Sequence, residues 1–132
     1  LVDVIKYDMQ FNQNMLKRYG FVGSNNKVKI YRGVRADYFK TSGVKYPSRI
    51  GETGQLLTNS AESWTTNQFV AEQFASVRFG GVVLEMEVPL DRIISSNFSF
   101  SFSSKISEAE IVIGGGNPLN YKIVKAGYLD EW

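Results

Sequence analysis

Three short runs carry side chains able to do chemistry: Tyr31-Arg32-Gly33, Ser63-Trp64-Thr65-Thr66 and Glu108-Ala109-Glu110. The two glutamates are spaced by two, which in a strand turns both carboxylates to one face. Adjacent carboxylates repel, so the pair needs water, a cation or a task. The chain has no His and no Cys. That removes thiol nucleophiles, disulfides, Cys/His zinc sites and Ser-His-Asp triads, and leaves acid-base work near neutral pH to Glu, Asp, Lys or Tyr. Each run alone has a plain reading as well: a surface Arg, a Ser bonding locally ahead of a helix, a solvated pair of Glu. Their order, spacing and strand context are what join them.

The elements that must hold these runs are legible from periodicity. Met9, Phe11, Met15, Leu16 and Tyr19 suit an amphipathic helix over Asp8 to Tyr19, stopped by Gly20. Lys27 to Val34 alternates as a strand, with Val28, Ile30 and Arg32 on one face and Lys29 and Tyr31 on the other. Thr41 to Asn59 is dense in Gly, Ser and Thr and reads as irregular surface chain. Thr66 or Asn67 suits a helix N-cap, with Val70, Phe74 and Val77 at helical spacing behind it and Gly80-Gly81 ending the helix. Val82 to Val88 alternates as a strand closed by Pro89. Ser95 to Ser107 is a Ser/Phe code that suits either a strand or a loop. Glu108 to Ile113 and Tyr121 to Ala126 read as further strands, separated by the Gly114 to Pro118 breaker. Many strands with few helices predict an α+β fold on a mainly antiparallel sheet.

Composition bounds the rest. A chain of 132 residues with 43% hydrophobic residues fits one folded domain, residues 1–132, with one core. Net charge is +2, a weak pull toward nucleic acid. Lys27, Lys29, Arg32, Arg35, Lys40, Lys45 and Arg49 nevertheless fall in one stretch and leave an RNA partner open. No stretch is long and apolar enough to cross a bilayer, and Leu1 to Lys17 lacks the pattern of a signal peptide. The absence of an initiator Met suggests a domain cut from a longer protein, and without cysteine it would tolerate any redox compartment.

Together the three runs resemble the Arg-Ser-Glu class of mono-ADP-ribosyltransferases, the cholera-toxin-like and clostridial-toxin-like branch, over Lys29 to Ile113. That family has an aromatic residue then Arg on the first core strand, Ser-x-Ser or Ser-x-Thr on the next, and Glu-x-Glu downstream. The resemblance implies the family's antiparallel split sheet with flanking helices, NAD+ as co-substrate and no metal. Arg32 would hold the NAD+ phosphates or the nicotinamide ribose, with Gly33 and Trp64 beside the co-substrate. Ser63 would orient Glu110, and Thr65 would brace the signature strand. Glu110 would bind the nicotinamide-ribose hydroxyl and stabilise the oxocarbenium-like cation. Glu108 would engage the acceptor, and a Glu there is typical of members that modify arginine. Phe74 either stacks on nicotinamide or packs in its helix. Phe98, Phe100 and Phe102, in the place of the target-recognition loop, either touch the partner or pack inside. Two departures stand out: the signature reads Ser63-Trp64-Thr65 rather than Ser-Thr-Ser, and one short helix follows it where many clostridial toxins have a longer loop.

The resemblance thus implies transfer of ADP-ribose to a macromolecule, a protein arginine before RNA. NAD+ hydrolysis without an acceptor and a fold kept only for binding are the competing readings. The expected setting is a monomeric toxin or effector warhead, secreted or delivered into a target-cell cytosol and covered by a cognate immunity protein.

Overall fold

The computed structural model describes residues 2–35, 50–56, 63–77, 80–99, 108–114 and 117–127. Its strands are β1 (Lys27–Val34), β2 (Thr53–Leu56), β3 (Ser63–Thr65), β4 (Val82–Pro89), β5 (Ile93–Ser99), β6 (Glu108–Ile113) and β7 (Leu119–Ala126). The helices are α1 (Val2–Arg18) and α2 (Gln68–Ala75), with a single 3-10 turn at Leu90–Arg92. The strands lie in the order β2-β7-β4-β1-β3-β6-β5, and every pairing is antiparallel. The α+β class and antiparallel sheet are those read from the periodicity.

Among the described residues the seven strands are hydrogen-bonded in one sheet. Its seam is narrow, because β3 has only three residues and meets β1 through the single pair Tyr31↔Thr65. By contrast β1 and β4 are paired along eight positions, from Lys27↔Pro89 to Val34↔Val82.

Alternation gives each face its own core. Val28, Ile30, Val34, Trp64, Leu84, Met86, Ile111 and Ile123 fill one side together with Leu16 of α1. Val83 packs with Ala71 and Ala75 of α2 on the other, with Tyr31, Val77 and Val124 around them. Burying a side chain such as Leu16 stabilises by about 1.5–3 kcal/mol, an upper figure because the unfolded chain is partly collapsed. Gln13 Nε2 also donates to the Ile93 carbonyl at 3.2 Å. Helix α1 ends in a Schellman turn: Phe21 N–H donates to Leu16 O at 3.0 Å and Gly20 N–H to Lys17 O at 3.1 Å, with Gly20 left-handed at φ 81.

Two elements differ from the periodicity, and a third settles a reading left open. Helix α1 begins at Val2 rather than Asp8, because β-branched residues weaken a helix by only a few tenths of a kcal/mol each and do not stop it. Strand β2 lies inside the segment read as irregular; it has no alternation of its own and exists through pairing with β7, from Thr53↔Lys122 to Leu56↔Leu119. Part of the Ser/Phe run is strand, Ile93–Ser99 paired with β6, while residues 100–107 lie outside the described residues.

Candidate active site

The backbone registers build one row across the sheet. Tyr31 pairs with Glu85 on β4 and with Thr65 on β3, Thr65 with Glu110 on β6, and Glu110 with Asn97 on β5. Register partners share a face, so Glu85, Tyr31, Thr65, Glu110 and Asn97 line the side that carries α2. Neighbouring strands lie roughly 4.8 Å apart, which sets the spacing of this polar row. Glu110 is exposed. Ser63 stands opposite Val112 and Glu108 opposite Ser99; the side chains of Ser63 and Glu108 lie outside the described residues, as does that of Phe98 and all of Phe100 and Phe102.

Tyr31 is half-buried, and its phenol is hydrogen-bonded to Glu85. Burial first, then the Glu85 charge and that hydrogen bond, push its pKa above the usual 10.0. Because the folded state holds this proton longer than the unfolded chain, the contribution to stability is whole below pH 10 and is lost as pH rises through the folded value. Denaturant titrations should therefore show stability falling above about pH 10, with a shallower fall in Tyr31→Phe; equal slopes would exclude Tyr31 as the source.

The start of α2 is tied to the same row. Thr65 Oγ1 accepts from Asn67 N–H at 3.1 Å. Asn67 Oδ1 in turn accepts from Phe69 N–H at 2.9 Å and Val70 N–H at 3.4 Å, an N-cap as the sequence suggests. Asn67→Ala should cost about 1 kcal/mol in chemical denaturation, and a neutral result would show that the cap is redundant.

The inward face of α2 is not the one the spacing suggests: Ala71 and Ala75 are buried, whereas Phe74 is 73% exposed. Packing of Phe74 within its helix is thereby corrected. Backbone proximity decides this. A Cβ on Gly33 would meet the Ala71 carbonyl and lie 2.7 Å from Ala75 N, so only small residues fit where α2 crosses β1. Gly33, expected beside the co-substrate, is the seat of that crossing.

Arg32 stands on the opposite face. Its register partner Leu84 belongs to the larger core, and its guanidinium carbon lies 6.0 Å from the ring centroid of Trp64. Trp64 is 2% exposed, and its buried indole N–H has no partner among the described residues. The structure thus brings Thr65 and Glu110 together and joins Arg32 to Trp64 on the other side of the sheet. Periodicity did not single out Glu85 and Asn97, which flank the row. Each is an ordinary polar position of its own strand, and only cross-strand register brings it beside the motif residues. A groove of about 440 Å³ has Lys27, Glu85, Glu87, Asn120 and Lys122 among its lining residues. Among the described residues no group of three or more metal-ligating side chains could hold a metal ion, and no helix is long and apolar enough to cross a membrane.

No curated protein and no solved structure matched the chain. The family model described as dinitrogenase reductase ADP-ribosyltransferase (DRAT) matches residues 5–123, a span that contains all three motif runs and the whole polar row. The chain therefore belongs to the dinitrogenase reductase ADP-ribosyltransferase family and is an NAD+-dependent ADP-ribosyltransferase.

Proposed function

We propose that the chain cleaves the nicotinamide–ribose bond of NAD+ at the Thr65–Glu110 pair and transfers ADP-ribose to an arginine of a folded protein. The observation that carries this reading is the exposed Glu110, in register with the signature strand in a member of a transferase family. As nicotinamide departs, the ribose carbon gains positive charge, and a carboxylate beside it stabilises that charge more in the transition state than in the ground state. Glu110 fills this role, Ser63 and Thr65 align it, and Glu108 engages the acceptor, where a carboxylate attracts a guanidinium and assists loss of its proton. Phe74, exposed on α2, is left to the nicotinamide side of the site.

The acceptor in the family's name is a protein, dinitrogenase reductase, which favours a protein acceptor here over RNA. The effector role, with delivery into a target cell and a cognate immunity protein over the cleft, is proposed on the order of the toxin-like motifs.

The test is to incubate the purified chain and labelled NAD+ with cell lysate and to separate protein from RNA. Label on protein, lost on treatments that cleave arginine-linked ADP-ribose, supports the proposal; label on RNA refutes it. Glu108→Gln is expected to abolish transfer while retaining slow nicotinamide release, and equal loss of both would assign Glu108 to NAD+ cleavage itself.

A further inference from the structure

We infer that Trp64 is the positioning residue of the signature strand and that Arg32 acts through it, from the side of the sheet opposite Glu110. The inference rests on the transferase reading above. Strand β3 must present Thr65 to Glu110, yet it is three residues long and meets β1 at one pair. So short a ladder resists slippage poorly, and a slip of one residue would turn Thr65 to the other face. The side chain between Ser63 and Thr65 is therefore where the register can be locked. Trp64 is 2% exposed, faces Ile111 across the β3–β6 ladder, and sits under the Arg32 guanidinium at 6.0 Å. That contact crosses the weak β1–β3 seam.

The choice of indole supports the same point. A Phe would fill an apolar site without burying an N–H, whereas the Trp64 N–H is buried with no partner among the described residues. What indole offers beyond a phenyl ring is the stronger π face for a cation, and Arg32 is the cation over it. The departure of this chain from Ser-Thr-Ser, a Trp at the middle position, thus has a physical purpose. It makes Arg32 a clamp on β3, acting on the alignment of Thr65 with Glu110.

The experiment measures steady-state NAD+ cleavage by the wild type, Arg32→Gln, Trp64→Phe and the double variant. A positioning role predicts that Arg32→Gln lowers kcat by about tenfold or more while KM for NAD+ stays within about twofold. It also predicts that the double variant is no worse than Arg32→Gln alone, because once Arg32 is replaced Trp64→Phe has no cation contact left to weaken. A rise in KM of about tenfold with kcat unchanged would instead make Arg32 a ligand of the NAD+ phosphates and overturn the inference. Multiplying losses in the double variant would overturn it too. A second readout is independent of activity. With Trp132→Phe leaving Trp64 as the sole tryptophan, Arg32→Gln should change the Trp64 emission, and an unchanged spectrum refutes the clamp. Were the wild type itself unable to cleave NAD+, the transferase reading would fail, and this emission would still decide the clamp by itself.

Discussion

Replacing Glu110 by Gln is expected to lower NAD+ cleavage by about 10²–10³-fold, on the order of 3 kcal/mol of transition-state stabilisation, with the fold unchanged. Gln keeps the size and hydrogen-bonding reach of Glu and removes only the charge, so the loss reports on charge at the reacting centre. The side chain is exposed and its backbone is held from both sides, by Thr65 on β3 and Asn97 on β5, which is why the substitution should leave the unfolding midpoint within a few degrees. Nicotinamide release measured beside thermal unfolding checks both halves. Retention of more than about a tenth of wild-type cleavage, equivalent to under ~1.4 kcal/mol, would remove Glu110 from the reaction.

The second large effect is structural. Gly33→Ala should destabilise the chain by about 1–3 kcal/mol, lowering the unfolding midpoint by roughly 3–15 °C for a domain of this size. The added methyl group meets the backbone of α2, the Ala71 carbonyl and Ala75 N, and backbone cannot rotate away as a side chain can. Relief requires lifting the helix, which would also pull on Asn67 and through it on Thr65. A midpoint unchanged by Gly33→Ala would mean that α2 does not sit on β1 as described.

How far the site was legible can be judged residue by residue. Arg32 shows what alternation can do: with Val28 and Ile30 buried at even positions, its face followed from the sequence. The Val82 to Val88 strand was legible for the same reason, since Val82, Leu84, Met86 and Val88 recur at every second place. The row Glu85-Tyr31-Thr65-Glu110-Asn97 was not, because it is written across five strands and depends on registers set by pairing. Strand β2 was hidden in the same way, since Thr-Gly-Gln-Leu carries no period and takes its form from β7. In helix α2 the residues that pack inward were misread, although Val77 just beyond it does join the core beside Val83. Spacing favours the large residues Val70 and Phe74, whereas close contact with Gly33 and Gly81 demands the small ones, Ala71 and Ala75. Hydrophobic periodicity ranks residues by transfer energy and is blind to how near two backbones must come.

The measurement that tests the central claim most directly follows one sample of purified chain with NAD+ labelled in the adenylate part and a lysate as acceptor. It records released nicotinamide and protein-bound label together, for the wild type and Glu110→Gln. The account predicts that the wild type produces both, and that Glu110→Gln loses both by about 10²-fold or more. Protein labelling by Glu110→Gln at a rate near that of the wild type would contradict it.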